Sequence, residues 1–174
     1  MVDPLLAAAH HTFGRLYNCT GQPDQAITHL NEALALQPGF SLAHAQLGHA
    51  YLQKAMPAEA IAAFEMAALI GGALGKAHLA YAYSVVGRRP EATGILSSLL
   101  ASGDHLPPFH MAVAYVGMRD HEEAFRWLER ASEEHDPWLT TLNIDRAFEP
   151  LRSDSRFAVI VRRMGLEPET AVSQ

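Results

Sequence analysis

Cysteine is all but absent: Cys19 is the only one in 174 residues. A single thiol closes no internal bridge, so a small disulfide-stapled fold is excluded and a reducing, cytoplasmic setting is expected. Charge is sparse too, with 18% Asp, Glu, Lys and Arg against a usual share of about 25%. What charge there is sums to -6. Phosphate affinity comes from Lys and Arg, so nucleic acid and anionic membrane surfaces are not expected partners. Polar or charged residues interrupt each apolar stretch before the roughly 18 needed to span a bilayer, and the start of the chain has no basic region ahead of an apolar one. Neither a membrane span nor a signal peptide is expected. The sequence also lacks a Gly-rich phosphate loop, a Gly-x-Ser-x-Gly turn, a Cys-x-x-Cys pair and a His-Glu-x-x-His helix. No enzymatic activity and no cofactor are expected from it.

What the chain has in quantity is apolar sequence at helical spacing, with 49% hydrophobic residues. From Ser41 to Gly72 it reads as two amphipathic helices joined by a turn. Leu47, Gly48 and Tyr51 share a side of the first, and Ala60, Phe64 and Ala67 recur on the second. Its neighbours repeat the plan. Tyr17, Tyr51, Tyr83 and Tyr115 stand 34, 32 and 32 residues apart, and Ala26, Ala60, Ala92 and Ala124 give the same three intervals. Two independent markers in one register identify a repeat.

This register resembles the tetratricopeptide repeat, a helix-turn-helix unit of about 34 residues with a Leu-Gly-x-x-Tyr signature on its first helix. Counted from Ala7, Ser41, Ala73 and His105, the seventh and eighth positions are Phe13-Gly14, Leu47-Gly48, Leu79-Ala80 and Met111-Ala112. The resemblance implies an all-α, right-handed superhelical solenoid of antiparallel helix pairs. Four pairs are expected, at about 3–38, 41–72, 73–104 and 105–136, making one region over 1–136. The family's large residue at position four is missing from the first helices, and Gly75 beside that position predicts a looser helix-helix contact there. Asp3 ahead of Pro4 predicts a helix cap.

The period ends after Asp136. Residues 137–165 predict two short turns and a helix from about Ser155 to Met164, a C-terminal cap over the last apolar face, and 166–174 a flexible tail. The capping segment resembles those closing tetratricopeptide regions in bacterial signalling proteins and transcription regulators. Residues 120–136 hold seven acids and residues 146–163 five arginines, so the arginines of the cap are expected against the acidic last repeat helix.

In the family, the side of each first helix facing away from its partner helix lines a concave groove. Carried onto this chain, the groove holds His11, Arg15 and Asn18; Gln46, His49 and Gln53; His78, Tyr81 and Ser84; and Phe109, His110 and Val113. The first two units then supply a polar floor and the last an apolar one. The resemblance implies a non-catalytic scaffold that binds a peptide or partner protein in this groove, with self-assembly or a regulatory place in a longer signalling chain as alternatives. Ten histidines raise the question of metal. Those that a groove would gather, His10, His11, His49, His78 and His110, have no carboxylate three or four residues on, and no metal site is expected.

Overall fold

The computed structural model describes residues 4–103 and 105–166. The Asp3 cap and the tail beyond Leu166 lie outside the described residues. Eight helices are assigned among them: α1 (Pro4–Cys19), α2 (Pro23–Leu36), α3 (Ser41–Gln53), α4 (Pro57–Val85), α5 (Arg89–Ala101), α6 (Pro108–Gly117), α7 (His121–Glu133) and α8 (Ser155–Arg163). Two 3-10 segments, Pro137–Thr141 and Arg146–Leu151, precede α8. The chain forms two compact units that divide after Leu106.

In the first unit α1 pairs with α2 and α3 with α4, while α5 packs on α4. Successive pairs stack in chain order, α2 lying against α3 and α1 alongside α3. Helix α4 is 29 residues long, and by length and composition it could cross a membrane. It does not run straight. Gly72, at φ 58 and ψ -135, breaks it into arms of residues 57–71 and 73–85, each shorter than the 17 or so residues a span needs. The arms belong to successive helix pairs, as the 34, 32, 32 register requires.

The backbone repeats with the sequence. The turns inside the four pairs each place one residue in the left-handed region: Gly21, Ala55, Gly87 and Arg119. Beside each, an amide donates back to the carbonyl of the repeat tyrosine, from Gln22 to Tyr17 (2.8 Å), Met56 to Tyr51 (2.9 Å), Arg88 to Tyr83 (2.7 Å) and Asp120 to Tyr115 (3.0 Å). This is the bond that closes a helix C-terminus when a left-handed residue follows it. A proline then opens α2, α4 and α5 at one of their first two positions, where its missing N–H leaves no bond unmade.

Small residues set how near the helices come. An added Cβ on Gly14 would lie 2.5 Å from Leu30 Cγ, and one on Gly48 would lie 2.6 Å from the Phe64 ring. Position eight of the first helix therefore receives the large residue at position twenty-four of the second. The expectation of a loose contact at Gly75 is reversed. A Cβ there would fall 2.0 Å from the carbonyl oxygen of Ala67, so the second arm of α4 crosses the first almost backbone to backbone. Its bare Cα permits the approach.

The second unit joins α6 and α7 to the C-terminal segments. Phe148 of the second 3-10 segment is fully buried edge-on to Phe109 of α6, with centroids 5.1 Å apart. Helix α8 packs on α7, burying Phe157, Ile160 and Val161. Residues 137–165 thus share a core with the fourth helix pair, within the unit that begins at Pro107. Aspartates start the elements here. Asp120, Asp136, Asp145 and Asp154 each accept a backbone N–H two or three residues on, the N-cap bond. Arg156 carries the expected charge pairing: its guanidinium donates to both Glu122 carboxylate oxygens at 3.0 Å and lies 4.1 Å over the Phe125 ring. Beside it the Asp154 carboxyl is lowered to about 2, chiefly by the hydrogen bond from Arg156.

Candidate functional site

Within the first unit, α1, α3 and the second arm of α4 are the three first helices, and their side chains link across one face. Asn18 Nδ2 donates to the Gln46 backbone carbonyl (2.8 Å) and to its side-chain Oε1 (3.0 Å), and Gln53 Nε2 donates to the Asn18 carbonyl (3.2 Å). One asparagine ties α1 to two points on α3, a full two turns apart. From α3, His49 continues the line: its Nε2 lies 3.2 Å from His78 Nδ1, and its ring stands 5.3 Å from Tyr81 and edge-on to Phe64 at 5.0 Å. Residues from successive first helices thus form a ladder, in which His49 and Tyr81 hold the same position of their repeats.

Of the twelve side chains expected on this face, Arg15, Gln46, His49, Gln53, Tyr81 and Ser84 are half-buried or exposed. The other six are buried. Asn18 is sunk in the ladder. His11 lies under the Phe40 ring, 4.9 Å away, and His78 between His49 and Phe64. Phe109 belongs to the core of the second unit, touching Phe148, and its N–H donates to the buried Asp136 Oδ2 at 3.1 Å. His110 meets Trp138 edge-on at 5.0 Å, and Val113 is 3% exposed. The expected apolar floor is therefore interior. Its cover comes from residues 137–151, whose placement no helical period announces.

Burial also sets the charge state of two histidines. His11 is lowered to about 4, mainly by loss of water and secondarily by the Arg15 charge, and His49 is lowered to about 4 by burial. His49 faces the titratable groups His78 and Tyr81. Because an unfolded histidine titrates near 6.5, the unfolded chain takes up a proton between pH 6.5 and 4 that folded His49 refuses. Its contribution to stability is complete above pH 6.5 and falls away as the pH drops toward 4. Urea unfolding at pH 7 and pH 4.5 should show the wild type losing about 2 to 3 kcal/mol more than His49→Phe. Equal losses would mean the ring is solvated.

A second constellation lies outside this face. His10 of α1 meets His29 and Glu32 of α2, their ligand atoms within 4.8 Å of one another. The sequence does show a histidine with a carboxylate three residues on, but on a second helix; the partner from α1 appears only in three dimensions.

A tetratricopeptide-repeat family model matches residues 20–72. Among solved structures, the chain is similar to one in the Cut9–Hcn1 hetero-tetramer of the APC/C, with 19% identity and a TM-score of 0.55 over 90% of this chain, which spans 32% of that one. It is also similar to a Podosopora anserina kinesin light chain of nearly identical TPR-like repeats, with 20% identity and a TM-score of 0.52, covering 95% of this chain and 96% of that one. No curated protein matches. The fold is an all-α, tetratricopeptide-type arrangement of paired antiparallel helices with a terminal helix.

Proposed function

We propose that the first-helix face of the first unit binds an extended peptide segment of a partner protein. The ladder running from Asn18 through Gln46, Gln53 and His49 to Tyr81 carries this reading. It fixes hydrogen-bonding groups from three consecutive helices in one row, and Gln53, Tyr81 and Ser84 reach the surface along it. Such a row matches a peptide backbone, which offers a donor and an acceptor at nearly every residue, while the Tyr81 ring gives a rigid apolar surface of the kind that anchors interfaces. The partner meets the chain in a reducing, cytoplasmic compartment, on the strength of its lone thiol.

Random peptides displayed on phage and selected against the intact chain test the reading. Selected peptides should bind Tyr81→Ala at least about tenfold more weakly, and Gln53→Ala should also lose affinity. Peptides that bind both variants as tightly as wild type would place the binding surface elsewhere.

A second reading, self-association, is favoured by α1, where Leu5 is 77% exposed and Leu6, Phe13 and Leu16 about half exposed. That apolar face would be covered by a second copy. Light scattering separates the two: a dimer abolished by Leu16→Glu supports association, and a monomer at all concentrations removes it.

A further inference from the structure

His10, His29 and Glu32 bring three ligand atoms to one point between α1 and α2. His10 Nδ1 lies 2.8 Å from Glu32 Oε2 and 3.1 Å from His29 Nδ1, and His29 Nδ1 lies 3.4 Å from Glu32 Oε2. We propose that these three side chains bind one divalent transition-metal ion, linking the two helices of the first pair.

Three observations carry it. The edges of the triangle, 2.8, 3.1 and 3.4 Å, bracket the separation of about 3.3 Å between ligands of a tetrahedral ion with bonds of about 2.0 Å. An ion sitting slightly off their plane reaches all three with little movement. Next, the set is partly preorganised. His29 and Glu32 are one turn apart on α2 and so share a face, and the His29 ring is stacked on Tyr17 at 5.5 Å and 11° and flanked by Phe13 at 5.3 Å. These aromatic neighbours hold the imidazole beside the carboxylate. Finally, the site is open: the side chains of His10, His29 and Glu32 are 22%, 28% and 51% exposed, leaving the fourth position to water or to a ligand atom from a partner.

Two imidazoles and one carboxylate select Zn²⁺, Co²⁺, Ni²⁺ or Cu²⁺ over Mg²⁺ and Ca²⁺, which require oxygen ligands in greater number. Because α1 and α2 supply one and two ligands respectively, the ion binds only when the pair is folded and stabilises it by mass action.

Calorimetric titration of the full chain with Zn²⁺ at pH 7.5 tests the site, with thermal unfolding in the presence and absence of Zn²⁺ as a second reading. One ion per chain is expected, with a raised melting temperature. His29→Ala and Glu32→Gln should each bind at least about tenfold more weakly and lose the thermal shift, while His121→Ala, exposed on α7, should match wild type. Glu32→Gln changes one exposed carboxylate and keeps the fold, and Co²⁺ added to the unaltered chain should give the visible absorption of a tetrahedral site. No stoichiometric uptake by wild type, or wild-type affinity in either variant, overturns the proposal.

Discussion

Phe64→Ala is expected to lower the stability of the first unit by about 3 to 5 kcal/mol, the range for deleting a buried aromatic side chain. Phe64 has no exposed surface. Its ring fills the space that Gly48 leaves by lacking a side chain, since an added Cβ at Gly48 would stand 2.6 Å from it. The same ring supports His49 edge-on and lies parallel to His78. On the Gly48 side no side chain stands ready to fill the cavity. The loss should therefore fall toward the upper end of the range and be accompanied by loosening of the His49 to His78 contact. Chemical unfolding followed by circular dichroism measures it. A loss below about 1.5 kcal/mol would mean the pair repacks freely.

Gly75→Ala is expected to cost about 3 kcal/mol or more, although alanine is the better helix former. The added methyl would meet the backbone of one peptide unit, at 2.0 Å from the Ala67 carbonyl oxygen, 2.5 Å from its carbon and 2.8 Å from Ala68 Cα. A flexible side chain could turn away. Backbone cannot, so the two arms of α4 must separate and the bend at Gly72 must open. Gly94→Ala is the control: it lies within α5 with nothing near its missing Cβ, and the same substitution should stabilise by about 1 kcal/mol. Opposite signs for two helical glycines would locate the close crossing, whereas a stabilised Gly75→Ala would deny it.

The repeat was legible because it rests on local spacing. Tyr17, Tyr51, Tyr83 and Tyr115 and the matching alanines set the register, and the turns at residues 21, 55, 87 and 119 keep it in the backbone. Glycine marks only two of those turns; Ala55 and Arg119 adopt the left-handed conformation without the residue that would announce it. The face was legible in direction but not in exposure. The repeat register gives Phe109, His110 and Val113 the groove positions of their own unit, yet Phe148 and Trp138 pack onto the first two of them. That cover arrives from outside the repeat, in segments too short and irregular for a period to reveal. Gly75 shows the same limit. A missing side chain reads as a gap in one dimension and as a contact in three.

The central claim, that a partner lies along the first-helix face of the first unit, is tested most directly by mapping amide chemical shifts of the isotopically labelled chain as a selected peptide is added. Perturbations should concentrate on α1, α3 and residues 73–85, around Gln46, His49, Gln53, Tyr81 and Ser84. Perturbations centred on α2 and α5, with those residues unmoved, would contradict it.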